Sequence, residues 1–159
     1  MIIKGLVDED FVNYKMPCMY ICTSTCSFKC DRELGGKYCQ NSSLARQPDI
    51  AVDNERIVQR YLQNPITHAI CLSGLEPFDQ FEDVVAMIDM LRHKYMCDDM
   101  IVIYSGYTKE ELIDKIAELQ QYRNIIVKFG RYRPSQEKHF DKELGVYLAS
   151  NNQYAERIC

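Results

Sequence analysis

The sequence has no apolar run approaching the roughly 20 residues that a membrane-spanning helix requires, and no dense cluster of lysine and arginine. The first absence sets the expectation of a protein without a membrane span. The second, with a formal net charge of -4 and a pI near 5.4, removes the electrostatic footprint of a phosphate-backbone binder, so nucleic acid is not an expected partner. The opening MIIKGLVDEDFVNY is too acidic for a signal peptide, and a cytoplasmic location is expected. Neither a linker nor an internal repeat interrupts the chain. The histidines His68, His93 and His139 lack paired spacing and a neighbouring carboxylate set, so they read as ordinary surface or edge residues.

Cysteine, by contrast, is abundant. A chain of 159 residues with 47% hydrophobic content can bury one core, so a single domain over residues 1–159 is expected, and eight cysteines in it need a reason. Cytosolic thiols stay reduced, which points away from disulfides and toward metal or catalysis. Cys18, Cys22, Cys26, Cys30 and Cys39 share one short window, while Cys71, Cys97 and Cys159 stand alone. Cys18 alternates with Tyr20 on a predicted strand and reads as packing. The three isolated cysteines read as small apolar residues or a frayed terminus.

Around this window, β-rich runs alternate with amphipathic stretches, the mark of βα units on a mainly parallel sheet. A first strand is expected over Pro17 to Ile21, leading into a polar loop over residues 22–41. A helix over about 54–63 carries Ile57, Val58, Tyr61 and Leu62 on one face, with Asp53 as cap. Strands are expected over Thr67 to Leu72, Met100 to Tyr104 and Ile125 to Phe129. Between them, Asp79 with Glu82 and Thr108 with Glu111 have capping-box spacing, opening helices that turn Val84, Val85, Ile88 and Leu91, then Leu112, Ile113, Ile116 and Leu119, inward. Residues 130–159 are less regular, and Val146 to Ala149 is the expected closing strand. The chain is too short for a complete eight-fold barrel of about 250 residues, so an open partial barrel is the expected architecture. Chemistry in such sheets sits at the C-terminal ends of the strands.

Cys26 and Cys30 are separated by three residues, and Cys39 follows after eight more, flanked by Tyr38 and Gln40-Asn41. Spacing alone leaves two readings: an iron-sulfur cubane with one iron free of protein ligands, or a structural zinc site built from four of the five clustered cysteines. The zinc or closed-cluster reading implies a non-catalytic electron-transfer or interaction module.

Cys-Ser-Phe-Lys-Cys and Tyr-Cys-Gln-Asn resemble the two halves of the C-x-x-x-C-x-x-C motif of radical S-adenosylmethionine proteins of the glycyl radical enzyme activase family, with six residues inserted between them. Ser73-Gly74-Leu75-Glu76-Pro77 is similar to the family's Ser-Gly-Gly-Glu-Pro turn, with Leu75 in place of the second glycine. Tyr104-Ser105-Gly106-Tyr107 and Ser150-Asn151-Asn152-Gln153 resemble segments of the activating proteins of anaerobic ribonucleotide reductase. The resemblance runs from about Pro17 to Gln153. It implies an open partial (βα) barrel of the radical S-adenosylmethionine type. Cys26, Cys30 and Cys39 would hold a 4Fe-4S cluster; Cys22 is open to two readings, a fourth ligand that closes the cluster and favours electron transfer, or, since the frame match starts at Cys26, the bystander it is taken to be. S-adenosylmethionine would be contacted by Tyr38, Gln40, Ser73, Gly74 and Glu76. The implied reaction is reductive cleavage to a 5'-deoxyadenosyl radical that generates a glycyl radical on a partner such as anaerobic ribonucleotide reductase. The implied electron donor is flavodoxin- or ferredoxin-like.

Overall fold

Apolar runs too short for helices and rich in β-branched residues build the centre of the molecule, which is described over all residues, 1–159, by a computed structural model. The chain opens with β1 (Ile2–Asp10), which returns antiparallel as β2 (Cys18–Thr23). A polar segment follows with two short helices, α1 (Lys29–Leu34) and α2 (Ser42–Ala45), then the edge strand β3 (Ile50–Ala51) and helix α3 (Asn54–Leu62). Two βα steps and a further strand come next: β4 (Ala69–Gly74) and α4 (Phe81–Asp89), β5 (Met100–Tyr104) and α5 (Ile113–Leu119), then β6 (Ile125–Phe129). A hairpin of β7 (His139–Asp141) and β8 (Val146–Leu148) precedes the last strand, β9 (Tyr154–Arg157).

Seven strands form one sheet in the order β3-β1-β2-β4-β5-β6-β9. Its interior, β2-β4-β5-β6, is parallel, and the outer pairings are antiparallel. Because the parallel strands are laid down successively in one direction, α3, α4 and α5 fall on the same face. There Ile70, Leu72, Ile101 and Ile103 meet Val58, Tyr61, Ile88 and Leu119 in the main core. On the opposite face Cys18, Cys71, Val102 and Ile126 are covered by Tyr14 and by Leu144 and Leu148 of the hairpin region. Burial on both faces explains why β4 and β6 carry no exposed residue and show no polar alternation. No helix is long and apolar enough to cross a membrane.

Several elements depart from their sequence expectation. β1 was not foreseen, since its acidic end, Asp8-Glu9-Asp10, hides the alternation. Val146–Leu148 pairs with β7 in a separate hairpin rather than closing the sheet, and the polar β9 closes it instead. Polar character is common on edge strands, which must resist pairing with other chains. Ile113 is 63% exposed. The 3-10 turn Glu110–Leu112 sets the phase so that Leu112, Ile116 and Leu119 share the inner face. Leu62, at the end of α3, is 40% exposed. Asp53 caps α3 through the Glu55 amide at 2.9 Å, and Thr108 and Glu111 form the expected reciprocal box. Asp79 and Glu82 do not: the 3-10 turn Pro77–Gln80 delays the helix to Phe81, Glu76 caps that turn, and Asp79 faces elsewhere.

Candidate metal centre

The parallel strands end on one rim, and the loops leaving them surround a cavity of about 350 Å³. Cys26, Cys30 and Cys39 line it, together with Gln40, Ser73, Gly74 and Glu76. Tyr38 is set apart from them. Its side chain is 45% exposed and lies over Gly36, outside the cavity wall. The remaining cysteines also lie outside the wall: Cys22 sits within β2 opposite Ser73, Cys18 and Cys71 are fully buried in the sheet, and Cys97 and Cys159 pack against the edge of the core.

The segment between Cys30 and Cys39 is a folded unit rather than a slack insertion. α1 occupies most of it and ends at Gly35, whose φ of 68° suits a left-handed cap. The Asp31 carboxylate then accepts from the amides of Tyr38 and Cys39 at 2.8 and 2.7 Å, so one side chain at the start of α1 draws the returning chain back beside Cys30. At the other end, Phe28 takes a left-handed φ of 50°, and its N–H donates to the Cys26 sulfur at 3.2 Å.

The Ser73–Pro77 turn is laced to this loop. Thr23 donates its hydroxyl to the Ser73 carbonyl at 3.0 Å, the Leu75 and Glu76 amides donate to the Thr23 and Thr25 carbonyls, and the Asn41 side chain donates to the Gly74 carbonyl. The positive φ of this turn, 92°, falls on Gly74. Leu75 has no positive φ, so a side chain at this place in the turn introduces no backbone strain. Glu76 lines the cavity, but its carboxylate is engaged by the Phe78 amide, the Ser105 hydroxyl and the Gly106 amide at 3.2, 2.9 and 2.8 Å. It ties the turn after β4 to the turn after β5.

Burial governs the titrating groups. It pushes the Cys26 thiol up to about 12 against the Phe28 amide, which works the other way. Cys30 rises to about 11, first through burial and then through the neighbouring Cys39. Metal binding must therefore displace thiol protons, as it does at thiolate centres generally. Burial also raises Glu76 to about 7 and lowers Lys128 to about 7. Lys128, on β6, donates to the Ser105 and Gly130 carbonyls at 3.2 and 2.8 Å.

Sequence reasoning assigned no site role to Asp31, Asn41, Asp79, Tyr107, Lys128 or Arg131. Asn41 had a signal, its place in the closing Tyr-Cys-Gln-Asn. Asp79 was masked by its capping-box spacing, and Lys128 by lying inside an apolar strand.

The donor set suits an iron-sulfur cluster. Three soft sulfur donors, one already accepting an amide hydrogen bond, face a single cavity. No curated protein matches the chain, and no solved structure does. Residues 17–154, which hold the thiols, the turns and the parallel strands described above, match the family described as 4Fe-4S single cluster domain, and the chain belongs to that family.

Proposed function

We propose that the chain is a radical S-adenosylmethionine protein, an open partial (βα) barrel that cleaves S-adenosylmethionine reductively and generates a glycyl radical on a partner enzyme such as anaerobic ribonucleotide reductase. The observation that carries this reading is the count of thiols at the cavity. Cys26, Cys30 and Cys39 reach it and no other cysteine does. Three thiolates on a four-iron cubane leave one iron for an exogenous ligand, whereas a cluster serving only electron transfer is commonly closed by four.

Held by Cys26, Cys30 and Cys39, the cluster would supply one electron to the sulfonium, whose carbon–sulfur bond would break to leave methionine and a 5'-deoxyadenosyl radical. The chain's own residues bind and orient. Ser73 and Gly74 present turned backbone to the cavity beside the cluster loop, and Gln40 lies next to the third thiol. The open rim leaves access for a polypeptide loop carrying the target glycine. A flavodoxin- or ferredoxin-like protein is the proposed electron donor.

The test is anaerobic. Protein reconstituted with iron and sulfide and then reduced should release 5'-deoxyadenosine and methionine from S-adenosylmethionine. Cys26→Ala, Cys30→Ala and Cys39→Ala should each abolish release, and Cys18→Ala should not. Full release by Cys39→Ala would sink the proposal.

A further inference from the structure

The chain immediately after Cys26 is held by two residues that no thiol motif contains. Asp79, in the 3-10 turn after β4, accepts the Ser27 amide on Oδ2 at 2.7 Å and the Tyr107 hydroxyl on Oδ1 at 2.7 Å. The Ser27 and Tyr107 hydroxyls are themselves 3.2 Å apart, which closes a triangle. Successive amides thus diverge: Ser27 donates to Asp79 and Phe28 donates to the Cys26 sulfur. Phe28, whose N–H makes the second of these bonds, also has a left-handed φ of 50°, a conformation that persists where surrounding contacts enforce it. Tyr107 is fixed in turn by Lys29 and Arg131, whose charges sit 5.8 and 5.6 Å from its ring centroid. Both cations are paired elsewhere, with Glu111 and Glu33. Asp79 has no ion-pair partner.

We propose that Asp79 and Tyr107 are positioning residues for the first cluster thiolate, and that the Asp79 carboxylate lowers the reduction potential of the cluster. The brace sets where Cys26 presents its sulfur. A carboxylate without an ion-pair partner, hydrogen-bonded to the amide of the residue that follows a ligand, disfavours the added electron, since net charge and hydrogen bonding around the sulfurs are what a protein uses to set such potentials. The inference rests on the cluster alone. S-adenosylmethionine enters neither readout below, so failure of this inference and failure of the proposed cleavage are distinguishable.

The experiment compares cluster-loaded parent, Asp79→Asn and Tyr107→Phe, measuring the potential by redox titration followed by electron paramagnetic resonance, and iron loss to a chelator. Asp79→Asn should raise the potential by about 59 mV, equivalent to roughly tenfold in the ratio of oxidised to reduced cluster. Tyr107→Phe keeps the carboxylate, so its potential should move by less than half of that, while its iron should be lost several-fold faster than the parent's. An Asp79→Asn protein with the parent's potential overturns the charge effect. Should that variant fail to hold a cluster, Tyr107→Phe decides, and iron loss at the parent's rate overturns the brace.

Discussion

A methyl group on Gly74 would lie 2.6 Å from both the Cys22 Cα and the Thr23 amide nitrogen, and would have to be carried at φ 92°. Neither obstacle can relax, because the atoms it meets are backbone of the central strand β2. Gly74→Ala should therefore lower stability by about 2–4 kcal/mol, read as the shift of a denaturant midpoint, and should detach the turn from the cluster loop. Leu75→Gly should lose far less, since Leu75 carries no positive φ. Glu76 and Lys128 show a second residue-scale effect. Glu76 holds its proton more tightly folded than unfolded, being raised from 4.5 to about 7, so its contribution is complete below pH 4.5 and is lost as pH rises through about 7. Lys128 is lowered from 10.5 to about 7, so its contribution is complete above pH 10.5 and is lost as pH falls through about 7. Stability should accordingly dip near neutrality, by an amount on the order of 2 kcal/mol from each arm. Thermal midpoints across pH 5–9 should show Glu76→Gln flattening the acid arm and Lys128→Met the alkaline one. The glycine was legible in the sequence because a Ser-Gly turn after an apolar run is a local signal. The lysine was not, because only the fold shows that a charge inside a buried strand points at a cavity.

At the scale of elements, the eight residues between Cys30 and Cys39 show why spacing alone misleads. Counted along the chain they look like an interruption of the motif. In space α1 takes up the length, and Asp31 returns Cys39 to its neighbour. Asp31→Ala removes the acceptor for two amides and should leave the fold intact while lowering the iron retained after reconstitution severalfold, mostly through a loosened third thiol. Iron content equal to the parent's would show that α1 alone suffices. The βα steps from β4 to β6 were legible, since their strands are continuous apolar runs and their helices carry a 3.6-residue stripe. β1 and β9 were not, because an acidic or polar strand earns its place by pairing with a neighbour that only the fold supplies. The tail shows the same dependence. Ser150-Asn151-Asn152-Gln153 was visible as a pattern, yet its role appears only in the contacts: Gln153 accepts the Ala149 and Ser150 amides and donates to the Gly130 carbonyl, and Asn152 donates to the Arg131 carbonyl.

Across the whole molecule, distant parts of the chain meet at Arg131, which follows β6. Its guanidinium pairs with Glu111 at 2.7 Å and with Glu33 of α1 at 3.3 Å; Arg133 adds a second bond to Glu33 at 2.9 Å, and Lys29 reaches Glu111. The helix bearing Cys30 is thereby fastened to the C-terminal segment through charges rather than apolar contact, and α1 has no buried residue of its own. A helix held this way can open without unfolding the sheet. The Arg131 hydrogen bond is the main cause that lowers Glu111 from 4.5 to about 2, so the clamp is complete above pH 4.5 and is lost as pH falls through about 2. High salt weakens the more exposed pairs first. Glu111→Gln should therefore speed hydrogen exchange several-fold at residues 29–34 and 131–133 while leaving β4 and β5 at the parent's rate, and raising ionic strength should carry the parent toward the variant. Uniform acceleration over the whole sheet would mean that the clamp supports global stability instead of holding α1 locally.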